Sequence, residues 1–229
     1  QGLLSAEILT DEAVMAPVSG QRQLDRKNLR RASQLMDEAG WRVNADGMRE
    51  KDGQVFTLEV LDSSPAFDRI TNPMIENMKA LGIDARLNRV DTAQESERTR
   101  AYDFDVTTHS MRMGFEPSSG LEQYFGTKAM DQSSRNLMGL SDPAVDALIE
   151  KVVRAQSKAE LNTNIRALDR VLRAKRFWIP QWFKAVHTVA YYDQYGHPDP
   201  LPPFARGELD FWWFDAEKAA KLEAAGVLN

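Results

Sequence analysis

Apolar residues recur along this chain with two different periods, which separate its predicted helices from its predicted strands. A repeat of three to four residues, typical of amphipathic helices, covers residues 26–39, 66–81, 142–155 and 158–174. Alternating or short apolar runs rich in β-branched residues predict strands at 55–61, 83–90 and 105–113. Because strands and helices alternate, we predict βαβ units with parallel pairing and right-handed crossovers. The expected fold class is α/β, a mixed sheet flanked by helices, followed by a helical hairpin.

The stretch from 105 to 143 joins the third predicted strand to this hairpin. Its strand runs into a polar turn, 115–119, which opens a short helix at 120–125. In α/β proteins, ligands are usually held where the carboxyl end of a strand meets a helix N-terminus. The turn is also compatible with an ordinary strand-to-helix connection, since such turns are common.

Both ends of the chain lack a clean period. Residues 1–24 mix apolar residues with proline and glycine and are interpreted as an irregular segment. The run FWIPQWF, at 177–183, is aromatic but contains proline, so an edge or terminal strand is expected there. Residues 184–192 indicate one more strand, and an aromatic knot at 211–214 precedes a last helix.

Composition narrows the classes of function. The net charge is −5, with 29 basic and 34 acidic residues well mixed, which argues against nucleic acid as the main partner. The absence of cysteine excludes thiol catalysis and thiolate metal sites. No run of about 18 apolar residues is present to predict a membrane span. The chain begins at Gln1 without a signal-peptide pattern, so we interpret it as a processed or excised piece.

Catalytic and metal-binding patterns are weak. His109, His187 and His197 are scattered without the spacing of metal ligands, so no metal or other cofactor is expected. A binding protein is therefore favoured over an enzyme. Two alternatives remain, a hydrolytic domain that uses Glu116 with His109, and a protein-interaction domain that exposes the aromatic tail.

A series of short motifs resembles one known family. In chain order, the motifs are NLRRASQLMDEAGW, NPMIENMKALGIDARLNRVDTAQ, YDFDVTTHSMRMGFEPSSGLEQYF, NLMGLSDPAVDALIEKVVRA and IPQWF. Together they resemble the C-terminal half of family 5 extracellular solute-binding proteins, the dipeptide- and oligopeptide-binding components of bacterial ABC importers. The endings ALDRVL, WIPQWF and FWWFD are similar to the Yej-type subgroup, which is associated with oligopeptides and microcin C.

The resemblance implies a periplasmic receptor whose two lobes close on a peptide or peptide-like ligand and deliver it to an ABC permease in the inner membrane. In this type II periplasmic-binding-protein arrangement, residues 1–24 form a hinge segment and 25–183 the second lobe. Residues 184–229 then form a return segment that packs on a first lobe absent from this chain. The resemblance implies neither catalysis nor a cofactor.

The resemblance also places the ligand loop on residues 110–119. Many members hold the ligand's α-amino group with an aspartate in this loop, but no aspartate is present here. Glu116 is a candidate substitute, whereas Arg112 suits a carboxylate or phosphate-like group, or else an ordinary ion pair. Asn136 either lines the cleft or is a turn residue bonded to its own backbone. The predicted ligand-binding residues are Ser110, Met111, Arg112, Met113, Phe115, Glu116, Ser118, Ser119 and Asn136.

Overall fold

The chain folds into two compact units, Gln1–Ile179 and Pro180–Asn229. The computed structural model describes residues 2–18, 20–111, 117–132, 135–186, 188–202 and 208–227. Their assignment to a second lobe and a return segment that meet at 183/184 stays a prediction.

The first unit contains most of the regular structure. Its described elements, in chain order, are α1 (Ala6–Thr10), α2 (Arg26–Glu38), β1 (Arg42–Val43), β2 (Arg49–Lys51), β3 (Gln54–Val55), β4 (Thr57–Asp62), a 3-10 turn (Pro65–Phe67), α3 (Asp68–Ala80), β5 (Asp84–Arg89), α4 (Thr92–Arg100), β6 (Val106–Thr107), α5 (Gly120–Phe125), α6 (Ala129–Gln132), α7 (Pro143–Val153) and α8 (Lys158–Lys175).

A three-stranded sheet in the order β5–β4–β6 forms the centre of the first unit. Both pairs of strands are parallel, with Asp62 opposite Arg89 and Val60 opposite Val106. Helices α3 and α4 make the two connections, as predicted for βαβ units. All three predicted strands contribute to one sheet, although β6 covers only two residues of the predicted 105–113, and the α/β fold class is confirmed. The antiparallel pairs described in this unit lie in a separate small sheet, β1–β2–β3.

Two hydrophobic clusters stabilise this unit. One lies between the parallel sheet and α3 and is built around Val60, Ile75, Ile83 and Ala85. The other joins α5 to the hairpin of α7 and α8, through buried side chains such as Phe125, Ile149 and Leu168. The helical hairpin is thus packed where the apolar periodicity predicts it.

Aspartate and serine side chains cap several of the helices. Asp25, Asp91, Asp142 and Ser157 each accept a hydrogen bond from backbone N–H groups in the first turn of α2, α4, α7 and α8, respectively. Such caps satisfy donors that have no partner inside the helix.

The second unit is small and rich in exposed aromatic residues. Its described elements are β7 (Tyr195–Gly196), α9 (Glu208–Phe211), β8 (Trp213–Phe214) and α10 (Ala216–Ala224), with β7 and β8 antiparallel. Among the residues described, neither 177–183 nor 184–192 contains a strand, so both strand predictions are wrong. Aromatic composition favours a strand only where a partner strand is available, and Pro180 offers no backbone donor.

No described helix combines the length and the apolar composition needed to cross a lipid bilayer.

Candidate functional site

The carboxyl ends of β4, β5 and β6 meet at one edge of the parallel sheet. Residues 62–64, 89–91 and 107–111 follow or end these strands, and we call this group the carboxyl edge. In open α/β sheets, ligands are typically bound outside this edge. The β1–β3 hairpin lies at the opposite end, because Arg49 N–H donates to the carbonyl of Gly82, just before β5.

An ion-pair cluster occupies the edge where β4 and β5 end. Asp62 is only 3% exposed, and its Oδ1 accepts a hydrogen bond of 2.8 Å from the backbone N–H of Ser64. Arg89 Nη1 lies 3.2 Å from the same oxygen. Arg89 Nη2 donates to Oδ1 of Asp68, in the first turn of α3. Arg89 is therefore shared between two carboxylates.

Two atoms of this cluster are incompletely satisfied. Asp62 Oδ2 and Arg89 Nη1 are buried, and neither forms a hydrogen bond with the residues described. The Nη1 group of Arg89 lies at ion-pair distance from Asp62 Oδ1 without the alignment of a hydrogen bond. Buried polar atoms normally form hydrogen bonds, so two buried atoms without one at a candidate binding edge require an explanation.

Further acidic groups extend the edge toward α4. Ser63 Oγ donates a 2.5 Å hydrogen bond to Oε2 of Glu95, and Asp91 accepts one of 2.9 Å from the N–H of Gln94. With Asp62 and Asp68, residues 62–69 and 89–95, which cover the ends of β4 and β5 and the first turns of α3 and α4, contain four carboxylates. Their cationic neighbours in the same stretches are Arg89 and the exposed Arg69. The local charge balance is therefore negative.

A second polar group lies beyond the end of β6. Partial burial lowers the pKa of His109, and the positive charge of Arg135 lowers it further. Arg135 is held by a 2.8 Å hydrogen bond to Gln123 and stacks 5.6 Å from the ring centre of Tyr124. Partial burial and the charge of Arg135 both favour a neutral His109 imidazole.

The predicted ligand loop is described only at its ends. Ser110, Ser118 and Ser119 are exposed, whereas Met111 packs partly against the cluster of α5, α7 and α8. The remaining predicted loop residues lie outside the described residues; they are Arg112, Met113, Phe115 and Glu116. The hydrolytic alternative pairs His109 with Glu116 and therefore also depends on a residue outside the described ranges. Ligand contact by this loop stays a prediction.

Asn136 is fully buried and bonded to nearby backbone. Its Nδ2 donates to the carbonyls of Gly126 (3.1 Å) and Leu140 (2.9 Å), and its Oδ1 accepts from the N–H of Leu140 (2.9 Å). These bonds match the alternative interpretation, in which Asn136 holds a turn. Its predicted contact with a ligand stays a prediction.

Sequence reasoning placed the site on the end of the third strand, the loop that follows it and Asn136, and did not include Asp62, Asp68 or Arg89. The available signal was a charged residue at the end of each of the first two strands, in DSS at 62–64 and in RVD at 89–91. In the described residues, no group of three or more potential metal-ligating side chains could hold a metal ion.

Comparison with known families and proteins gives consistent matches. The family model described as bacterial extracellular solute-binding proteins, family 5 Middle, matches residues 9–132. An uncharacterized protein, y4wM, of Sinorhizobium fredii is 39% identical over 213 residues, which is 92% of this chain and 32% of that protein. The probable peptide-binding protein YejA of Agrobacterium fabrum is 38% identical over 90% of this chain and 34% of its own length.

Solved structures support the fold. The oligopeptide-binding protein AppA of Bacillus subtilis, in complex with a nonapeptide, superposes with a TM-score of 0.59 at 18% identity. The match covers 75% of this chain and 37% of AppA. The chain thus spans about a third of the length of the two curated relatives. The named activities among these matches are binding, not catalysis.

Proposed function

Because the chain belongs to family 5 of the bacterial extracellular solute-binding proteins, we propose that it is part of the substrate-binding component of an ABC importer. The solute is a peptide or a peptide-like molecule, and the protein acts in the periplasm as a binding protein rather than an enzyme. The match over residues 9–132 carries this proposal. The described carboxyl edge lies within that range and contains exposed and polar groups suited to a ligand.

The names of similar proteins support the peptide class. YejA of Agrobacterium fabrum is a probable peptide-binding protein, and AppA was solved with a nonapeptide. An extended peptide offers backbone donors and acceptors at every residue, which polar groups at a sheet edge can match. We propose that the carboxyl edge and the loop 110–119 form one wall of the peptide site, with Arg112 and Glu116 as its charged contacts.

A first lobe outside this chain supplies the opposite wall in this proposal. Residues 25–183 form the second lobe, 1–24 its hinge segment and 184–229 the return segment onto the first lobe. Closure of the two lobes then presents a surface to the membrane permease. The exposure of Val186 (67%), Tyr192 (59%) and Phe214 (61%) in the return segment supports this arrangement, since exposed large apolar side chains in such numbers normally pack against another surface.

Calorimetric titration with a mixture of tripeptides tests the proposal, using this chain and the longer polypeptide that includes the first lobe. We expect binding by both, with this chain weaker by two or more orders of magnitude, because each lost contact worth about 1.4 kcal/mol costs tenfold. Free amino acids are the control ligand. Equal affinities of the two proteins would contradict the two-lobe site, and no binding by either would overturn the proposed function.

A matched pair of variants locates the site. Ser110→Trp adds bulk at the carboxyl edge, whereas Thr163→Trp adds the same bulk to an exposed position on α8. We expect the first variant to lose peptide binding and the second to retain it. Equal binding by both variants would show that the peptide lies elsewhere.

A further inference from the structure

We propose that Asp68 binds a cationic group of the ligand and that Arg89 is the counter-ion which this group displaces. The inference rests on the proposed function, since it names the chemistry that the same edge recognises. In the arrangement described, Arg89 bridges Asp62 and Asp68. Ligand binding replaces the ion pair between Arg89 and Asp68 with one between the ligand and Asp68, and Arg89 then pairs fully with Asp62.

The proposal rests on the two buried atoms of the cluster that lack a hydrogen bond. Asp62 Oδ2 and Arg89 Nη1 are both buried without a hydrogen bond to the described residues, and they belong to the two members of one ion pair. A guanidinium group can donate two parallel hydrogen bonds to a single carboxylate. A turn of Arg89 from Asp68 to Asp62 would therefore satisfy both atoms together.

The two carboxylates differ in their access to solvent. The side chain of Asp62 is 4% exposed and that of Asp68 is 42% exposed. A buried carboxylate depends on its cation, since an unpaired buried charge is strongly unfavourable. An exposed carboxylate gains much less from the same cation. Arg89 is thus more strongly required at Asp62, and Asp68 is the partner that it can leave.

The charges around Asp68 determine what replaces Arg89. Once Arg89 pairs with Asp62, residues 62–69 and 89–95 retain Asp68, Asp91 and Glu95 against the single cation Arg69, so an anionic ligand group would meet a net negative charge. An ammonium or guanidinium group would meet complementary charge. The α-amine of a peptide and the side chain of a lysine or arginine share this chemistry.

Four short peptides distinguish these sources when titrated into the isotope-labelled chain and followed by NMR. They are acetyl-Ala-Lys-Ala-amide, acetyl-Ala-norleucine-Ala-amide, acetyl-Ala-Glu-Ala-amide and Ala-Ala-Ala-amide with a free amine. We expect the lysine or the free-amine peptide to bind about tenfold more tightly than the norleucine peptide, as for one charge-assisted hydrogen bond. The glutamate peptide should bind least.

Asp68→Asn should remove this charge preference. Its control is Asp84→Asn, the same change in a carboxylate that pairs with Arg86 at the amino end of β5. The control should keep the preference. Loss of preference in both variants, or in neither, would overturn the role of Asp68.

A second variant tests the exchange itself. Asp62→Asn combined with Arg89→Gln removes both charges of the buried pair and leaves Asp68 without its competitor. We expect this double variant to bind the preferred cationic peptide several-fold more tightly, and a weaker affinity would contradict displacement of Arg89. Equal affinities for the lysine, free-amine and norleucine peptides overturn only this inference. No binding of any peptide, by this chain or by the longer polypeptide, overturns the proposed function as well.

Discussion

Replacing Asn136 with alanine tests whether this residue holds the fold or contacts the ligand. The side chain is fully buried and forms three hydrogen bonds, two to carbonyls and one from the N–H of Leu140. In Asn136→Ala, three backbone groups lose their partner without gaining access to bulk water. The bond to Gly126 is buried, and the two to Leu140 are partly buried.

The cost follows from these three groups. An unsatisfied buried group destabilises a protein by about 1–3 kcal/mol, and partial burial favours the lower value. Two groups at about 1 kcal/mol and one at about 2 give a loss of about 4 kcal/mol. This is a large share of the stability of an ordinary domain, about 5–15 kcal/mol.

Urea unfolding followed by circular dichroism gives the global loss, and hydrogen exchange of the Leu140 amide gives the local one. Ser119→Ala is the control, because Ser119 is exposed at the start of α5 and its side chain forms no capping hydrogen bond. We expect the control to lie within about 0.5 kcal/mol of the wild type. An Asn136→Ala protein with full stability and unchanged exchange, but weakened peptide binding, would refute the structural role and support contact with the ligand.

Three further perturbations test other parts of the account. Arg49 is 2% exposed and donates hydrogen bonds to Asp37 and to the carbonyls of Trp41 and Leu81, so Arg49→Met should destabilise the first unit by about 3–5 kcal/mol in urea unfolding. The control Arg86→Met removes an exposed ion pair and should cost less than about 1 kcal/mol. Similar costs for the two variants would contradict the role of Arg49. Partial burial raises the pKa of Asp142, but hydrogen bonds from Lys175 and from two backbone N–H groups outweigh it and give a net lowered pKa. The stability contributed by Asp142 should therefore be present above about pH 4 and lost as the pH falls through the lowered pKa. The free energies of unfolding of the wild type and Asp142→Asn should then become equal in acid, and a difference that stays constant with pH would contradict this. The exposed rings of Phe183 and Phe214 are expected to drive self-association of the chain. Phe183→Ser combined with Phe214→Ser should therefore reduce self-association in analytical ultracentrifugation, whereas Phe67→Ser in the first unit should not. Unchanged self-association of the double variant would contradict this.

Local patterns predict the helices of this chain well. Apolar periodicity and capping residues are properties of neighbouring positions, and α5 spans Gly120–Phe125 as the sequence predicts. The segment 177–192 shows the limit of local reasoning. Its aromatic residues are typical of a strand, but a strand forms only where distant residues provide a partner. The described residues include none for this segment.

The candidate site shows the same division. The third strand was predicted to reach residue 113, whereas β6 spans only Val106–Thr107, so the local pattern located this strand but not its end. Asp62 and Arg89 lie 27 positions apart, and only the register of the parallel pair places them opposite each other. Nothing in the local pattern distinguishes Asp68, a first-turn helix residue, from an ordinary favourable charge at a helix N-terminus. Its pairing with Arg89 is a product of the tertiary fold.

Hydrogen exchange of this chain with and without a bound tripeptide tests the central claim most directly. The claim is that the carboxyl edge of the parallel sheet binds the solute. We expect slower exchange in peptides that cover 62–68, 89–95 and 107–111, and no change in the β1–β3 hairpin at the opposite end of the sheet. Protection confined to the hairpin or to α8, with the carboxyl edge unchanged while the peptide is bound, would contradict the account.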